Sequence, residues 1–258
     1  MPLAFPSKPA LIAYLTCGDP DLPTTRDIIL AAIDAGADVI ELGVPFSDPV
    51  ADGPVIQRAM DRACKAKTSL QAVIELAADV RRERADAGLI VFTYLNPILR
   101  YGMKRFAGAA TDAGFDGVLC IDMSVEESAE YVRTMRGHGL ATVFLAAPTS
   151  PDDRLKRIAE TSSGFVYAVS RLGVTGARAQ LSTDAQDLVA RIRRFTDLPV
   201  AVGFGVSNAE QFQAVGSYAD AVVIGSAIVS IIEREGKNAP QAVADFIRSV
   251  KQPLPVGS

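Results

Sequence analysis

Residues 34–43 read Asp34-Ala35-Gly36-Ala37-Asp38-Val39-Ile40-Glu41-Leu42-Gly43, a helix end, a glycine and at once a strand. Glycine takes the left-handed backbone that closes a helix, and the run that follows has no polar alternation, only a single acid. The phrase returns along the chain. Asp86-Ala87-Gly88 precedes LIVFTYL, and Asp112-Ala113-Gly114-Phe115-Asp116 precedes GVLCID. Looser copies, Arg136-Gly137-His138-Gly139 and Gly216-Ser217-Tyr218-Ala219-Asp220, introduce LATVFLA and AVVIG. Each copy predicts a helix ending on a left-handed glycine and then a buried strand.

Unbroken apolar runs are what parallel strands covered on both faces look like. Eight are predicted, near 10–16, 38–43, 89–94, 116–121, 141–146, 164–169, 199–203 and 220–224. Amphipathic helices separate them, among them 25–35, 69–85, 125–135, 184–194 and 209–215. Eight βα units favour a closed α/β architecture, a single-domain (β/α)8 TIM barrel over residues 1–258, above a doubly wound open sheet. Such barrels take about 250 residues. Residues 1–9 are expected to form a short non-helical leader because they carry Pro2, Pro6 and Pro9.

Composition narrows the class. Apolar residues make up 49% of the chain, enough for a barrel interior and an outer strand–helix layer. The formal charge is −4 and the basic residues are scattered, which argues against nucleic acid or an anionic membrane as partner. No apolar run reaches the roughly 20 residues of a membrane span. The start lacks the pattern of an export signal, and Cys17, Cys64 and Cys120 are odd in number and far apart. Reduced thiols and a cytoplasmic location are the expectation.

In such barrels the chemistry sits where the strands end. Glu41 lies inside an apolar strand, where an ionised carboxylate is costly, so its pKa should rise. It could then both donate and accept a proton near neutrality, or it could be salt-bridged within the barrel. The loop after it, residues 44–54, holds Asp48 and Asp52 between prolines that restrict the backbone. Either Asp could instead cap a turn or the helix starting near Pro54.

Farther on, Gly203-Phe204-Gly205 follows strand seven, and Gly225-Ser226 opens a short helix, 227–232, after strand eight. Glycine turns and a free helix N-terminus bind phosphate through backbone N–H groups without a basic side chain. The connection Arg171–Gln180 is long and glycine-punctuated, as lids are.

Other barrel chemistries lack their residues. The seven lysines, 8, 65, 67, 104, 156, 237 and 251, are assigned to helical or terminal segments, not to a strand end where a Schiff base would form. A single histidine, His138, between two glycines at a helix end, reads as a solvated turn residue and not a metal ligand. No GxGxxG follows the first strand.

The stretch ELGVPFSDPVADGP, residues 41–54, resembles the tryptophan synthase alpha subunit family. The resemblance continues in order through residues 14–20 (YLTCGDP), 94–97 (YLNP), 118–122, 147–149, 167–176 (YAVSRLGVTG), 202–206 and 225–229, covering about residues 10–235. It implies a lyase that splits indole-3-glycerol phosphate into indole and D-glyceraldehyde 3-phosphate by a retro-aldol reaction. It also implies no cofactor in this chain and a partner, a PLP-dependent beta subunit, in an α2β2 complex.

Carried over by position, the resemblance makes Glu41 the acid/base that protonates indole C3 and helps take the glycerol hydroxyl proton. It makes Asp52 the acceptor of the indole N–H and Tyr167 the tyrosine beside Glu41. It implies an indole pocket of Tyr14, Phe92, Tyr94 and Leu119. It implies a phosphate contact at Gly176 and a partnership of Thr175 with Asp52, beside the glycine cradle of Gly203, Gly205, Gly225 and Ser226.

The chain departs from the family in two places. The leader is short, and Asp122-Met123-Ser124 stands where the family carries Asp-Leu-Pro or Asp-Val-Pro, which removes a conformational lock near the mouth. Two other readings stay open, a stand-alone indole-3-glycerol phosphate lyase and a catalytically silent barrel kept as a binding or allosteric subunit. The intact Glu41, Asp52 and glycines speak against silence.

Overall fold

The computed structural model describes residues 5–169, 183–203 and 205–252. Eight parallel strands close into a barrel in sequence order: β1 (Ala10–Thr16), β2 (Val39–Gly43), β3 (Gly88–Thr93), β4 (Gly117–Cys120), β5 (Ala141–Ala146), β6 (Val166–Val169), β7 (Val200–Gly203) and β8 (Ala221–Ile224). Around them run α1 (Leu22–Asp34), α2 (Pro54–Lys65), α3 (Leu70–Glu83), α4 (Leu95–Tyr101), α5 (Met103–Asp112) and α6 (Ala129–Gly137). They are followed by α7 (Asp152–Thr161), α8 (Thr183–Ile192), α9 (Ala209–Gly216), α10 (Ser226–Glu235) and α11 (Ala239–Lys251).

The strands are apolar throughout because alternate residues enter two different cores. Ile12, Tyr14, Val39, Ile90, Phe92, Leu119, Val143, Tyr167 and Val223 meet inside the barrel. Leu11, Leu15, Ile40, Leu42, Val91, Val118 and Phe144 pack outward against the helices. Glu41 falls between the outward Ile40 and Leu42, so the alternation turns it inward. Its neighbours across the sheet are Tyr14 on β1 and Ile90 on β3.

Gly36, Gly114 and Gly139 take φ of +105°, +83° and +81°, the helix stops expected of the refrain. The other two copies differ. Gly88 is not left-handed and already belongs to β3. Gly216 ends α9 without reversing its backbone; a side chain there would collide with the Pro9 ring, so close approach is what the glycine serves.

Three helices depart by three residues or more from their expected limits, and α1 is one of them, starting at Leu22 instead of 25. The segment predicted as helical from 125 first makes a turn, with Ser128 Oγ donating to the Val125 carbonyl at 3.0 Å, and the helix starts at Ala129. The helix after β8 runs past 232 to Glu235. Lys67 occupies a turn at φ +60°, neither helical nor terminal. Residues 5–9 carry no helix.

Candidate active site

A cavity of about 480 Å³ opens where the strands end. Glu41, Asp52, Tyr14, Phe92 and Tyr167 line one part of it, and Gly205, Gly225 and Ser226 line another. Ile56, Ile121, Leu145, Val169 and Val223 add an apolar wall to the same lining.

Glu41 is fully buried, and neither carboxyl oxygen has a hydrogen-bond partner among the described residues. The salt-bridge reading therefore does not hold there. Burial pushes its pKa from 4.5 up to about 8, so the carboxyl is largely protonated at neutral pH.

Two tyrosines flank it on strands that make room for them with glycine. A Cβ on Gly43 would lie 2.5 Å from Tyr14 Oη, and one on Gly203 would collide with the Tyr167 hydroxyl. Burial raises the pKa of both phenols, and the Glu41 and Asp52 charges raise it further. Both rings are neutral walls with a polar tip. Tyr14 Oη lies 3.1 Å from Thr16 Oγ1, and its ring meets Phe92 edge-on with centroids 4.9 Å apart.

Asp52 is set by its loop and by β3. Tyr94, the residue after β3, donates its hydroxyl proton to Asp52 Oδ2 at 2.7 Å and accepts from the Ala51 N–H at 3.1 Å. Phe46 packs on the Tyr94 ring with centroids 4.8 Å apart. Burial raises the Asp52 pKa, and the Tyr94 hydrogen bond holds it back. Neither loop Asp caps α2, whose cap is Gly53 with no side-chain bond. Asp48 instead accepts from Ser47 Oγ at 2.5 Å.

Gly205, after β7, and Gly225 and Ser226, at the N-terminus of α10, form a glycine arc on the cavity. Gly225 is the cap of α10 and supplies no side-chain acceptor, so the first N–H groups of the helix remain available. Gly205 reaches the cavity at φ +80°, a conformation open to glycine. No lysine or arginine lines the cavity among the described residues.

Of the residues expected in the site, the structure gathers Glu41, Asp52, Tyr14, Phe92, Tyr167, Gly205, Gly225 and Ser226 around one space. Three lie outside its lining. Leu119 is buried deeper in the barrel interior, Gly203 stands behind the Tyr167 ring, and Tyr94 holds the Asp52 loop from outside. Thr175, Gly176 and the whole Arg171–Gln180 connection lie outside the described residues. The wall residues Ile121, Leu145 and Val169 were missed, although each lies two positions beyond an inward residue (Leu119, Val143, Tyr167) and period two would have found it.

No group of three or more His, Cys, Asp or Glu side chains could hold a metal among the described residues. His138 is exposed at the end of α6, its Nδ1 2.9 Å from the Thr134 carbonyl. The three cysteines are free. Among the described residues no helix is long and apolar enough to cross a membrane.

Fold and site together place the chain among the (β/α)8-barrel enzymes. The profile of the tryptophan synthase alpha chain family matches residues 3–254, and the chain belongs to that family. It is 51% identical to the tryptophan synthase alpha chain of Solibacter usitatus, over 95% of this chain and 92% of that one. To that of Laribacter hongkongensis it is 47% identical, over 96% and 94%. Among solved structures, it is similar to a chain of the tryptophan synthase α2β2 complex of Pyrococcus furiosus, with 42% identity and TM-score 0.88. That likeness covers 93% of this chain and 97% of the other. A mutant tryptophan synthase alpha subunit from the same organism matches at 40% identity and TM-score 0.85, over the same shares. The family is one of lyases acting on indole-3-glycerol phosphate.

Proposed function

We propose that Glu41 and Asp52 carry the family's reaction in this barrel, the cleavage of indole-3-glycerol phosphate to indole and D-glyceraldehyde 3-phosphate. The observation that supports this best is the buried, unpartnered Glu41 carboxyl facing an apolar cavity whose other end is a helix N-terminus. The apolar wall suits an indole ring, and the glycine arc suits a phosphate.

Glu41, protonated at neutral pH, gives its proton to indole C3. Positive charge then develops toward the ring nitrogen, and the Asp52 carboxylate accepts the N–H and stabilises it. Glu41, now ionised, takes the proton of the glycerol hydroxyl next to the ring. The oxygen closes to an aldehyde, the C–C bond breaks, and its electron pair returns to the ring as indole. Glu41 ends protonated, so the cycle balances without an added acid, base or cofactor. Tyr167 and Tyr14 exclude water on either side and keep Glu41 desolvated.

The subunit reading is favoured over the stand-alone one by the surface. Val50, in the loop before α2, is 85% exposed, and Leu99, on α4, is 54% exposed. Among the described residues these are the exposed large hydrophobic side chains, and both stand on the face where the strands end. A beta subunit carrying PLP, seated on that face in an α2β2 assembly, would cover them and receive indole. The whole chain is read as one domain acting in the cytoplasm.

The test is indole release from indole-3-glycerol phosphate by the purified chain, with and without a beta subunit. Cleavage that a beta subunit stimulates is the expected result. Fast cleavage with no complex formed would replace the subunit reading by the stand-alone lyase. No cleavage under either condition would leave the silent barrel.

A further inference from the structure

The helices α2 and α10 both begin at the cavity lining and lie against each other and β1. The first residue of α2 comes two positions after Asp52, and the first residue of α10 is Ser226 of the glycine arc. One unbroken set of charge-assisted hydrogen bonds joins the two helices. Arg58 Nε and Nη2 donate to Glu233 Oε1 and Oε2 at 2.8 and 2.7 Å. Arg62 Nη1 donates to the same Oε1 at 2.7 Å. The other edge of Arg62, Nε and Nη2, donates to both oxygens of Asp19 at 2.8 Å each. Asp19 follows β1 and is 2% exposed.

All three guanidinium nitrogens of Arg62 are therefore engaged, across three βα units. The Arg58 and Arg62 hydrogen bonds hold the Glu233 carboxyl down at about 2, so that carboxyl stays ionised at neutral pH. At the cavity end, Gln57 Nε2 donates to the Asp52 carbonyl at 2.9 Å and ties the acid's backbone to α2.

We propose that Arg62, with Arg58 and Glu233, is a positioning clamp that couples the phosphate end of the cavity to Asp52. Bidentate guanidinium–carboxylate pairs fix orientation as well as distance. An anion seated on the N-terminus of α10 biases that helix, Glu233 carries the bias to α2, and α2 carries it through Gln57 to Asp52. None of the clamp side chains lines the cavity, so the clamp acts on substrate only through Asp52 and the arc. The inference rests on the assignment of phosphate to the arc and of indole to the Asp52 end.

The experiment is calorimetric titration of indole into the purified chain, with and without saturating glycerol 3-phosphate, for wild type and Glu233→Gln. In wild type, glycerol 3-phosphate should tighten indole binding by about fivefold or more. In Glu233→Gln the coupling should fall below about twofold, with each ligand alone binding within about twofold of wild type. In steady state the variant should lose about tenfold in kcat with little change in KM. Glu233→Asp, which keeps the charge, should recover part of the coupling. Wild-type coupling in Glu233→Gln, or a lowered melting temperature as its sole effect, overturns the clamp. So does a wild-type protein that binds both ligands without coupling. A wild type that binds neither ligand overturns the site assignment instead.

Discussion

Tyr94 Oη stands 2.7 Å from Asp52 Oδ2 and also accepts the N–H of Ala51, so one phenol from the end of β3 fixes two consecutive residues of the loop after β2. The ring expected in the indole pocket holds the acid that would accept the indole N–H. Tyr94→Phe removes both bonds and keeps the packing against Phe46. A hydrogen bond to a charged group contributes about 1.5–3 kcal/mol, so the variant should lose about tenfold or more in kcat/KM while remaining folded. The Tyr94 hydroxyl opposes the burial that raises Asp52, so removing it should raise the Asp52 pKa. In the proposed mechanism Asp52 acts ionised, and the low-pH limb of kcat/KM should therefore move to higher pH. A pH–rate profile superimposable on wild type would show that Tyr94 is packing alone.

Glu41→Gln keeps the shape of the side chain and removes the proton that the proposed mechanism has it transfer. Activity should fall by about 10²–10⁴-fold or more, since general acid–base steps are typically worth that and Glu41 serves two. Binding of glycerol 3-phosphate should be unchanged. Retention of a tenth of wild-type cleavage would reject the assignment.

The same variant has a signature in stability. Glu41 has a folded pKa of about 8 against 4.5 for the free side chain, so the folded state holds a proton that the unfolded state releases. The stability associated with neutral Glu41 is present below pH 4.5 and is lost progressively as pH rises to about 8, levelling off above it. Gln does not titrate. Chemical denaturation of both proteins at a series of pH values should show Glu41→Gln gaining on wild type by up to about 1.4 kcal/mol per pH unit across that window. A constant difference from pH 5 to 8 would mean that Glu41 is not desolvated in solution.

The barrel was legible because its strands alternate between two apolar cores, and a carboxyl within such a run had to face one of them. Depth along the barrel axis was not legible. Leu119, on β4, and Ile121, just past its end, face inward, but the second reaches the cavity while the first lies a layer below. The hold of Tyr94 on the Asp52 loop was not legible either. It comes just after Thr93, the last strand residue, and period two gives its face but not the capture of its hydroxyl by the loop after β2. The clamp was also invisible. Arg58 and Arg62 share a helix face in sequence, but their acceptor Glu233 lies 175 and 171 residues away.

The phosphate assignment is best tested at Gly225. Gly205, at φ +80°, would be strained by any side chain, so its substitution would mix folding with binding. Gly225 has φ −116°, and a Cβ there would meet Tyr14 at an ordinary 3.4 Å. Gly225→Val should fold and should weaken glycerol 3-phosphate binding by about tenfold, because branched atoms crowd the first N–H groups of α10. Indole binding should change much less. Equal losses for both ligands in parallel titrations would move the phosphate elsewhere.

The mouth of the barrel should be where a partner docks. Indole is small and apolar and escapes into water unless the second enzyme seals the opening. The rim carries Val50, Leu99, Asp48 and Pro49, and the first two are exposed apolar side chains among the described residues. Docking would press on the loop that Tyr94 and Gln57 already tie to Asp52. Assembly and cleavage would then be linked as a shift between loop conformations. Leu99→Asp adds a charge to an exposed position on α4, away from the cavity lining, so basal cleavage should be unaffected. A buried interface anchor is commonly worth about 2 kcal/mol or more, so affinity for a beta subunit should drop by about 30-fold. Asp48→Ala and Pro49→Ala should likewise reduce partner-stimulated cleavage far more than basal cleavage. Titrating a cognate beta subunit against each variant while following indole release separates the two rates. If Leu99→Asp binds and responds like wild type, the partner sits on a different face, and the exposed rim needs another explanation.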